Sequence, residues 1–250
     1  MIDYTKFQNL NYEKFRQMAC DNTLTCYEKI GFPNNYRQGF EEAIWDDIQV
    51  KLPYLALTEK IILDIGPGLS ELPYKLIKKC RENQHTLILA DAPEVLEQLP
   101  NEKFIIKVPG KYPEESFKLL SGYLDRIDAI LCYSVFHYIF EGGNIFNFLD
   151  QSLSLLSHQG QFLIGDIPNI SKRKRFFSSP VGIKSHQNFT NTSEAPFIQF
   201  NCLEKDQIDD AVLFALISRC RNFGFDAYLL PQNDSLPMSN RREDILIKRN

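Results

Sequence analysis

Short apolar runs alternate with segments of helical periodicity through the middle of the chain. Five runs, each five to seven residues long, are Lys60–Ile65, Thr86–Asp91, Phe104–Val108, Ile127–Tyr133 and Gln161–Ile167. Runs this short and apolar are typical of strands buried on both faces of a parallel sheet. Between them, apolar residues recur at helical spacing over Glu71–Cys80, Pro93–Leu99 and Asn144–Ser157. The alternation predicts an α/β, doubly wound fold with helices on both faces of the sheet.

The two ends of the chain add further elements. A helix over Glu204–Asn222 and strands over Phe225–Leu230 and Asp244–Lys248 complete a sheet of about seven strands. Two helices, Tyr12–Ile30 and Arg37–Leu52, precede the first strand and predict an N-terminal helical lid. We expect one domain over 1–250, and its parts are the lid (1–58), a ligand-binding core (59–168), an irregular loop insertion (169–203) and a C-terminal helix with two strands (204–250).

Composition and charge exclude several classes of protein. Hydrophobic residues make up 44% and charged residues 24% of the chain, as in globular domains. The net charge of −4 argues against a nucleic-acid partner. The longest apolar stretch, Ile127–Phe140, is too short and too polar for membrane insertion, and the polar N-terminus shows no secretory signal. The six cysteines form no CxxC pair, so we expect reduced thiols, no metal site and a cytoplasmic location.

A glycine turn between the first strand and its helix is the clearest candidate site. The segment Ile61–Leu72 reads IILDIGPGLSEL, which places Gly66 and Gly68 where the chain leaves the strand. Such glycines allow unusual backbone angles and close approach of a ligand. The alternative interpretation is that they only make a tight turn.

Three acidic residues indicate which ligand the turn binds. Asp91 ends the second strand 23 positions after Gly68, where a carboxylate accepts hydrogen bonds from ribose hydroxyls. Glu71 opposes a pyrophosphate at the helix N-terminus, and Asp64 adds another negative charge. A ligand with a ribose, a cationic end and no phosphate fits this pattern, and S-adenosylmethionine has these features. A nicotinamide oxidoreductase is the alternative with the same fold, and Glu71 and Asp64 argue against it. The candidate cofactor-binding residues are Asp64, Gly66, Pro67, Gly68, Asp91, Ala92, Tyr133 and Ser134.

Four segments resemble motifs of the class I S-adenosylmethionine-dependent methyltransferases. The segments are LDIGPG, LILAD, IDAILCYSVFHYI and LLSHQGQFLIGDIP, which resemble the first, second, fourth and fifth motifs. The resemblance implies a Rossmann-like sheet of seven strands with the last strand antiparallel, and S-adenosylhomocysteine as product. It also implies that Gly66 and Gly68 lie against the methionine part and Asp91 on the ribose. After the third strand, where many members carry an acidic adenine ligand, this chain reads VPGKYP, so the adenine contact stays open.

Two further segments suggest a narrower resemblance. EKIGFPNNYRQGFEEAIWDDI and LPMSNRREDILI are similar to small methyltransferases of bacterial surface-polysaccharide clusters, some of which methylate the nitrogen of phosphoethanolamine. This implies a phosphorylated amine as acceptor, with phosphoethanolamine the best candidate, in capsule precursor synthesis. Two alternatives are O-methylation of a sugar or nucleotide-sugar, and a non-catalytic methyltransferase-like binding subunit.

The acceptor should lie beyond the carboxyl ends of the fourth and fifth strands. There His137 is a candidate general base with an ordinary pKa of about 6.5, and Asp166 is a candidate to hold an ammonium or polarise a hydroxyl. Both are also plausible as purely structural turn residues. The basic run Lys172–Arg175 follows, which suggests a small anionic acceptor, although such runs are often simply solvated. The candidate acceptor-binding residues are Tyr12, Tyr27, Tyr36, Arg37, Trp45, Arg173 and Arg242.

Overall fold

The computed structural model describes residues 5–7, 9–202 and 204–250; the remaining positions of the predicted lid (1–4 and 8) and of the predicted insertion (203) lie outside the described residues. Its centre is a seven-stranded sheet in the order β3-β2-β1-β4-β5-β7-β6. The strands are β1 (Ile61–Ile65), β2 (Thr86–Asp91), β3 (Ile105–Pro109), β4 (Ile127–Tyr133), β5 (Leu156–Pro168), β6 (Phe225–Pro231) and β7 (Arg242–Arg249). Strand β7 is antiparallel to both of its neighbours, and the other pairs are parallel. The predicted fold class, including the antiparallel last strand, is confirmed.

Helices surround this sheet. They are α1 (Tyr12–Cys20), α2 (Cys26–Lys29), α3 (Asn34–Arg37), α4 (Glu41–Lys51), α5 (Leu72–Glu82), α6 (Pro93–Leu96), α7 (Phe136–Gly142), α8 (Ile145–Leu155), α9 (Ile170–Phe177), α10 (Pro180–Thr190) and α11 (Asp210–Asn222). Among the helices of the described residues, none combines the length and apolarity needed to cross a bilayer.

Each face of the sheet packs into its own hydrophobic core. Successive residues of a strand point to opposite faces, so Leu63 belongs to one core and Ile62 to the other. The first core also contains Leu149 of α8, and the second contains Ile48 of α4. Burial on both faces explains why the strands read as continuous apolar runs.

The predicted helix over Tyr12–Ile30 is wrong in one respect, because the chain breaks between α1 and α2. The carboxylate of Asp21 accepts hydrogen bonds from the backbone N–H and hydroxyl of Thr23, at 2.8 and 2.6 Å. Thr25 then starts α2 with a capping box that involves Glu28. These local hydrogen bonds compete with helix continuation and end α1 at Cys20.

The prediction of an irregular loop after Pro168 is also wrong, since α9 and α10 occupy most of that segment. The side chain of Asn169 accepts hydrogen bonds from the backbone N–H groups of Ser171 and Lys172, which caps α9. Ser179 caps α10 in the same way, and Pro180 is its first residue. In contrast, the predicted helix from Glu204 begins only at Asp210.

Candidate cofactor and acceptor site

A cavity of about 630 Å³ lies at the carboxyl ends of β1, β2 and β4, beneath the N-terminal helices. This volume lies within the range of small-molecule sites, about 300–1,000 Å³. Eight residues predicted for the cofactor or acceptor line it: Tyr12, Arg37, Gly66, Pro67, Gly68, Asp91, Tyr133 and Ser134. The parallel strands therefore bring together at one edge the residues that the sequence placed at their ends.

Both glycines of the turn have backbone angles that favour glycine, with φ of 72° at Gly66 and 64° at Gly68. A Cβ atom on Gly66 would lie 2.6 Å from Cγ2 of Val135, and one on Gly68 would lie 2.6 Å from Cγ2 of Ile30. A side chain at either position would therefore strain the turn and meet the protein itself, in the lid or after β4.

Asp91 presents its carboxyl group to the cavity beside the turn. One oxygen accepts a hydrogen bond from the backbone N–H of Gly68 at 3.2 Å, and the other accepts one from Ala92 at 2.7 Å. Burial raises the pKa of Asp91 to about 6, although these hydrogen bonds favour the charged form. The group is thus fixed in position and has lone pairs left to accept hydrogen bonds from ligand hydroxyls.

Asp64 lies behind the turn and does not line the cavity. Its side chain is buried, and burial together with the nearby charge of Asp91 raises the pKa of Asp64 to about 8. At neutral pH Asp64 is therefore largely protonated, and Asp91 is the member of this pair that lines the cavity and carries a negative charge.

Ser134 follows directly after β4 and Asp166 lies near the end of the neighbouring β5, and both have left-handed backbones, with φ of 62° and 60°. The hydroxyl of Ser134 donates a hydrogen bond to Oδ2 of Asp166 at 2.5 Å. Nη1 of Arg37 donates to the Ser134 hydroxyl at 3.1 Å, and Nη1 of Arg242 lies 3.3 Å from Oδ2 of Asp166. Gln232 donates to the other carboxylate oxygen at 3.3 Å. Strained non-glycine residues at two adjacent strand ends are a feature of functional sites.

This network changes the interpretation of Asp166. Its carboxylate is buried, contacts two arginines and does not line the cavity. The group that faces the cavity is Ser134, while Asp166 supports it from behind. Asp166 thus accepts a hydrogen bond from Ser134 and does not itself line the cavity.

His137 lies in the first turn of α7 and does not line the cavity. Its ring lies against that of Tyr138, with 3.9 Å between ring centroids, and its buried Nδ1 atom has no hydrogen-bond partner among the described residues. Burial, with a smaller contribution from the charge of Arg242, lowers the pKa of His137 to about 3. The expectation of an ordinary pKa is therefore wrong, and the ring is neutral at physiological pH.

Six other predicted site residues lie outside the cavity lining: Ala92, Tyr27, Tyr36, Trp45, Arg173 and Arg242. The hydroxyl of Tyr27 donates to Oε1 of Glu71 at 3.1 Å, which attaches the lid to the start of α5. Trp45 is buried in one of the two hydrophobic cores, so it stabilises the fold. Arg173 is exposed on α9.

Several residues that line the cavity were not predicted from the sequence. Phe15 of α1 packs edge-on against Tyr138 with 4.7 Å between ring centroids, and both line the cavity. After β3, Lys111 and Glu114 also line it, and Lys111 donates a hydrogen bond to the carbonyl of Gly142 at 3.2 Å. Lys111 and Glu114 could have been predicted as site residues from their position within and just after the segment VPGKYP, which follows β3.

The fold is that of the class I S-adenosylmethionine-dependent methyltransferases, and several solved structures of such enzymes are similar to this chain. The chain is similar to the plantazolicin methyltransferase BpumL, solved with a triazolic desmethylPZN analog and SAH, with a TM-score of 0.57 and 14% identity over 96% of this chain and 99% of that one. It is also similar to phosphoethanolamine N-methyltransferase 1 of Haemonchus contortus, solved with phosphoethanolamine and S-adenosylhomocysteine, with a TM-score of 0.58 and 16% identity over 99% of this chain and 50% of that one.

A third similar structure is a putative S-adenosylmethionine-dependent methyltransferase from Methanococcus maripaludis, with a TM-score of 0.52 and 14% identity over 100% of this chain and 97% of that one. The sequence matches no protein-family model and no curated protein.

Proposed function

We propose that this chain is a methyltransferase that binds S-adenosylmethionine in the cavity and transfers its methyl group to a small molecule. The observation that carries the proposal is the carboxyl group of Asp91, fixed by Gly68 and Ala92 at the edge of a cavity of suitable size. When bound, S-adenosylmethionine supplies a methyl group on a sulfonium centre. The structures solved with S-adenosylhomocysteine share this fold and support the same cofactor.

The residues around the cavity suit the parts of this cofactor. Asp91 accepts hydrogen bonds from the ribose hydroxyls, and Gly66 and Gly68 allow close backbone approach. The ionised carboxylate of Asp91 favours a cationic ligand, and the rings of Phe15 and Tyr138 offer apolar contact beside it. Glu71 precedes α5 at the point where a dinucleotide would need a positive environment for its pyrophosphate. The site thus favours S-adenosylmethionine over a nicotinamide dinucleotide.

Methyl transfer needs alignment of the nucleophile and exclusion of water more than it needs a strong base. Ser134 and Arg37 face the cavity and are held in place by Asp166 and Glu41. These two side chains orient the acceptor in our account. His137 does not act as the base with a pKa near neutrality, because its pKa is lowered to about 3.

We propose further that the acceptor is a small anionic molecule in the cytoplasm, with phosphoethanolamine as the first candidate and methylation at nitrogen. The resemblance to methyltransferases of capsule clusters supports this choice, as does the basic run Lys172–Arg175, which lies in α9 shortly after the end of β5. The nematode enzyme of similar fold, solved with phosphoethanolamine, offers further support. O-methylation of a sugar or nucleotide-sugar is the second candidate.

The experiment is a transfer assay with methyl-labelled S-adenosylmethionine and a panel of phosphorylated amines, their dephosphorylated forms and nucleotide-sugars. We expect label to enter one anionic acceptor, and Asp91→Ala to lower kcat/KM for the cofactor by at least about tenfold. Asp234→Ala, at an exposed position, is the matched control. Cofactor binding without transfer to any member of the panel would favour a non-catalytic binding subunit, and absence of cofactor binding would contradict the proposal.

A further inference from the structure

Four arginines form a continuous row that starts at the cavity and extends away from it. Arg37 and Arg242 lie over the ring of Phe32, at 5.4 and 5.8 Å from its centroid. Arg173 and Arg241 lie over the ring of Phe177, at 5.2 and 5.7 Å. The two pairs are adjacent because Arg242 of the first pair directly follows Arg241 of the second in the sequence. Only Arg37 of the four lines the cavity.

The inner and outer pairs differ in their counter-charges. Arg37 donates a hydrogen bond to Glu41 at 2.9 Å, and Arg242 lies 3.3 Å from Asp166, so both inner guanidinium groups are compensated. Among the described residues, no carboxylate lies within 4.0 Å of Arg173 or Arg241. Nearby carboxylates are engaged elsewhere: Glu204 with Lys174 at 2.6 Å, and Asp210 with Arg175 at 2.5 Å.

Among the described residues, the outer pair is therefore a concentration of positive charge without a carboxylate in ion-pair contact, in a chain whose net charge is −4. Arg241 is partly buried, and burial, together with the charges of Arg242 and Arg173, lowers its pKa. The two like charges repel each other, and an anion bound by both groups would relieve that repulsion. Guanidinium groups match the geometry of phosphate oxygens and bind them through pairs of charge-assisted hydrogen bonds.

We propose that Arg173 and Arg241 bind a phosphate or diphosphate group of the acceptor outside the cavity, while the nucleophilic end enters past Arg37 and Ser134. The inference rests on the proposed function for its link to methyl transfer. It also replaces Arg242 by Arg241 in the anion site predicted from the sequence. Arg242 is paired with Asp166 and is not available to the acceptor as a free charge.

The test is calorimetric titration of the full chain with inorganic pyrophosphate at low ionic strength, with and without saturating S-adenosylhomocysteine. We expect saturable binding at one site, and at least about tenfold weaker binding, or about 1.4 kcal/mol, in R173Q/R241Q. The control K118Q/K184Q removes the same charge from two exposed lysines and should stay within about twofold of wild type. Unchanged S-adenosylhomocysteine affinity in R173Q/R241Q would show that its fold is intact.

Phosphoethanolamine and UDP-glucose serve as competitors of pyrophosphate, with ethanolamine and glucose as their phosphate-free counterparts. Competition by at least one ester, and by neither counterpart, supports the site. The inference is overturned if wild type shows no saturable pyrophosphate binding, if the two double variants lose affinity equally, or if neither ester competes. Failure of the proposed function is seen separately, because it would abolish S-adenosylhomocysteine binding and leave the pyrophosphate titration unaffected.

Discussion

Two buried carboxyl groups beside the glycine turn define the site at the scale of single residues. The pKa of Asp64 is raised to about 8 and that of Asp91 to about 6, chiefly by burial. In the unfolded chain an aspartate has a pKa of about 3.9. Between these values the folded protein binds more protons than the unfolded chain, so this contribution to stability falls as pH rises from about 4 to about 8.

Asp64→Asn should remove the larger part of this loss of stability with rising pH, because Asp64 has the higher pKa of the two groups. We expect the variant to exceed wild type in free energy of unfolding by about 1–3 kcal/mol at pH 8, because the neutral amide carries no desolvation penalty for charge. The gain should shrink as pH falls and approach zero below about pH 4, where the carboxyl group becomes protonated in the unfolded chain as well. Urea unfolding across this pH range measures it, with the exposed Asp234→Asn as control. A gain that does not depend on pH would contradict the raised pKa.

Cofactor affinity should rise with pH through the titration of Asp91. The carboxylate accepts ribose hydrogen bonds best when ionised, and its pKa of about 6 leaves it largely protonated at pH 5. We expect S-adenosylmethionine affinity to increase up to about tenfold between pH 5 and pH 7, with release of protons on binding. Calorimetry in buffers of different ionisation enthalpy measures that release. Binding that is independent of pH and releases no proton would disagree with this account.

His137 should stay neutral over the physiological range, because its pKa is lowered to about 3. Its ring proton signals, assigned by comparison with His137→Gln, should not shift with pH between about 5 and 8 in an NMR titration. A midpoint near about 6.5 would restore His137 as a candidate base.

At the scale of elements, the N-terminal helices attach to the sheet through a few polar contacts. Arg16 of α1 pairs with Glu94 of α6 at 2.6 Å, and Arg37 of α3 reaches Ser134 after β4. Arg37 is 3% exposed and so is its partner Glu41. Removing one member of a buried ion pair leaves the other charge uncompensated.

Arg37→Ala should therefore lower the free energy of unfolding by about 3–5 kcal/mol. Glu42→Ala, which removes a largely exposed member of the neighbouring pair with Lys75, should cost less than about 1 kcal/mol. Chemical denaturation followed by circular dichroism compares the two. Similar losses in both variants would show that Arg37 does not anchor the lid.

The sequence allowed prediction of β1, β2, β4 and β5 because most residues on both faces of these strands are buried, which leaves a continuous apolar run in each. It did not allow prediction of α10, because Val181 and Phe189 of that helix are exposed and give no clear apolar stripe. The caps at Asn169 and Ser179 were present in the sequence as signals. Because no apolar stripe follows them, these two capping residues could not be distinguished from the polar residues of a loop.

At the scale of the whole molecule, some residues of the site could be predicted from the sequence and others could not. Gly66, Gly68, Asp91 and Ser134 were predictable because parallel strands end at one edge of the sheet. The roles of Tyr27, Trp45 and Arg242 were not, because they depend on how the lid and β7 pack against residues distant in sequence. The row of arginines arises in the same way, from elements that only the tertiary fold brings together.

The central claim is that the cavity binds S-adenosylmethionine, and direct calorimetry tests it. We expect wild type to bind S-adenosylmethionine and S-adenosylhomocysteine at one site and NAD at least about a hundredfold more weakly, a difference of about 2.7 kcal/mol. Asp91→Ala should lose about 1.5–3 kcal/mol of cofactor binding free energy, and Asp234→Ala should lose almost none. Tighter binding of NAD than of S-adenosylmethionine, or unchanged affinity in Asp91→Ala, would contradict the account.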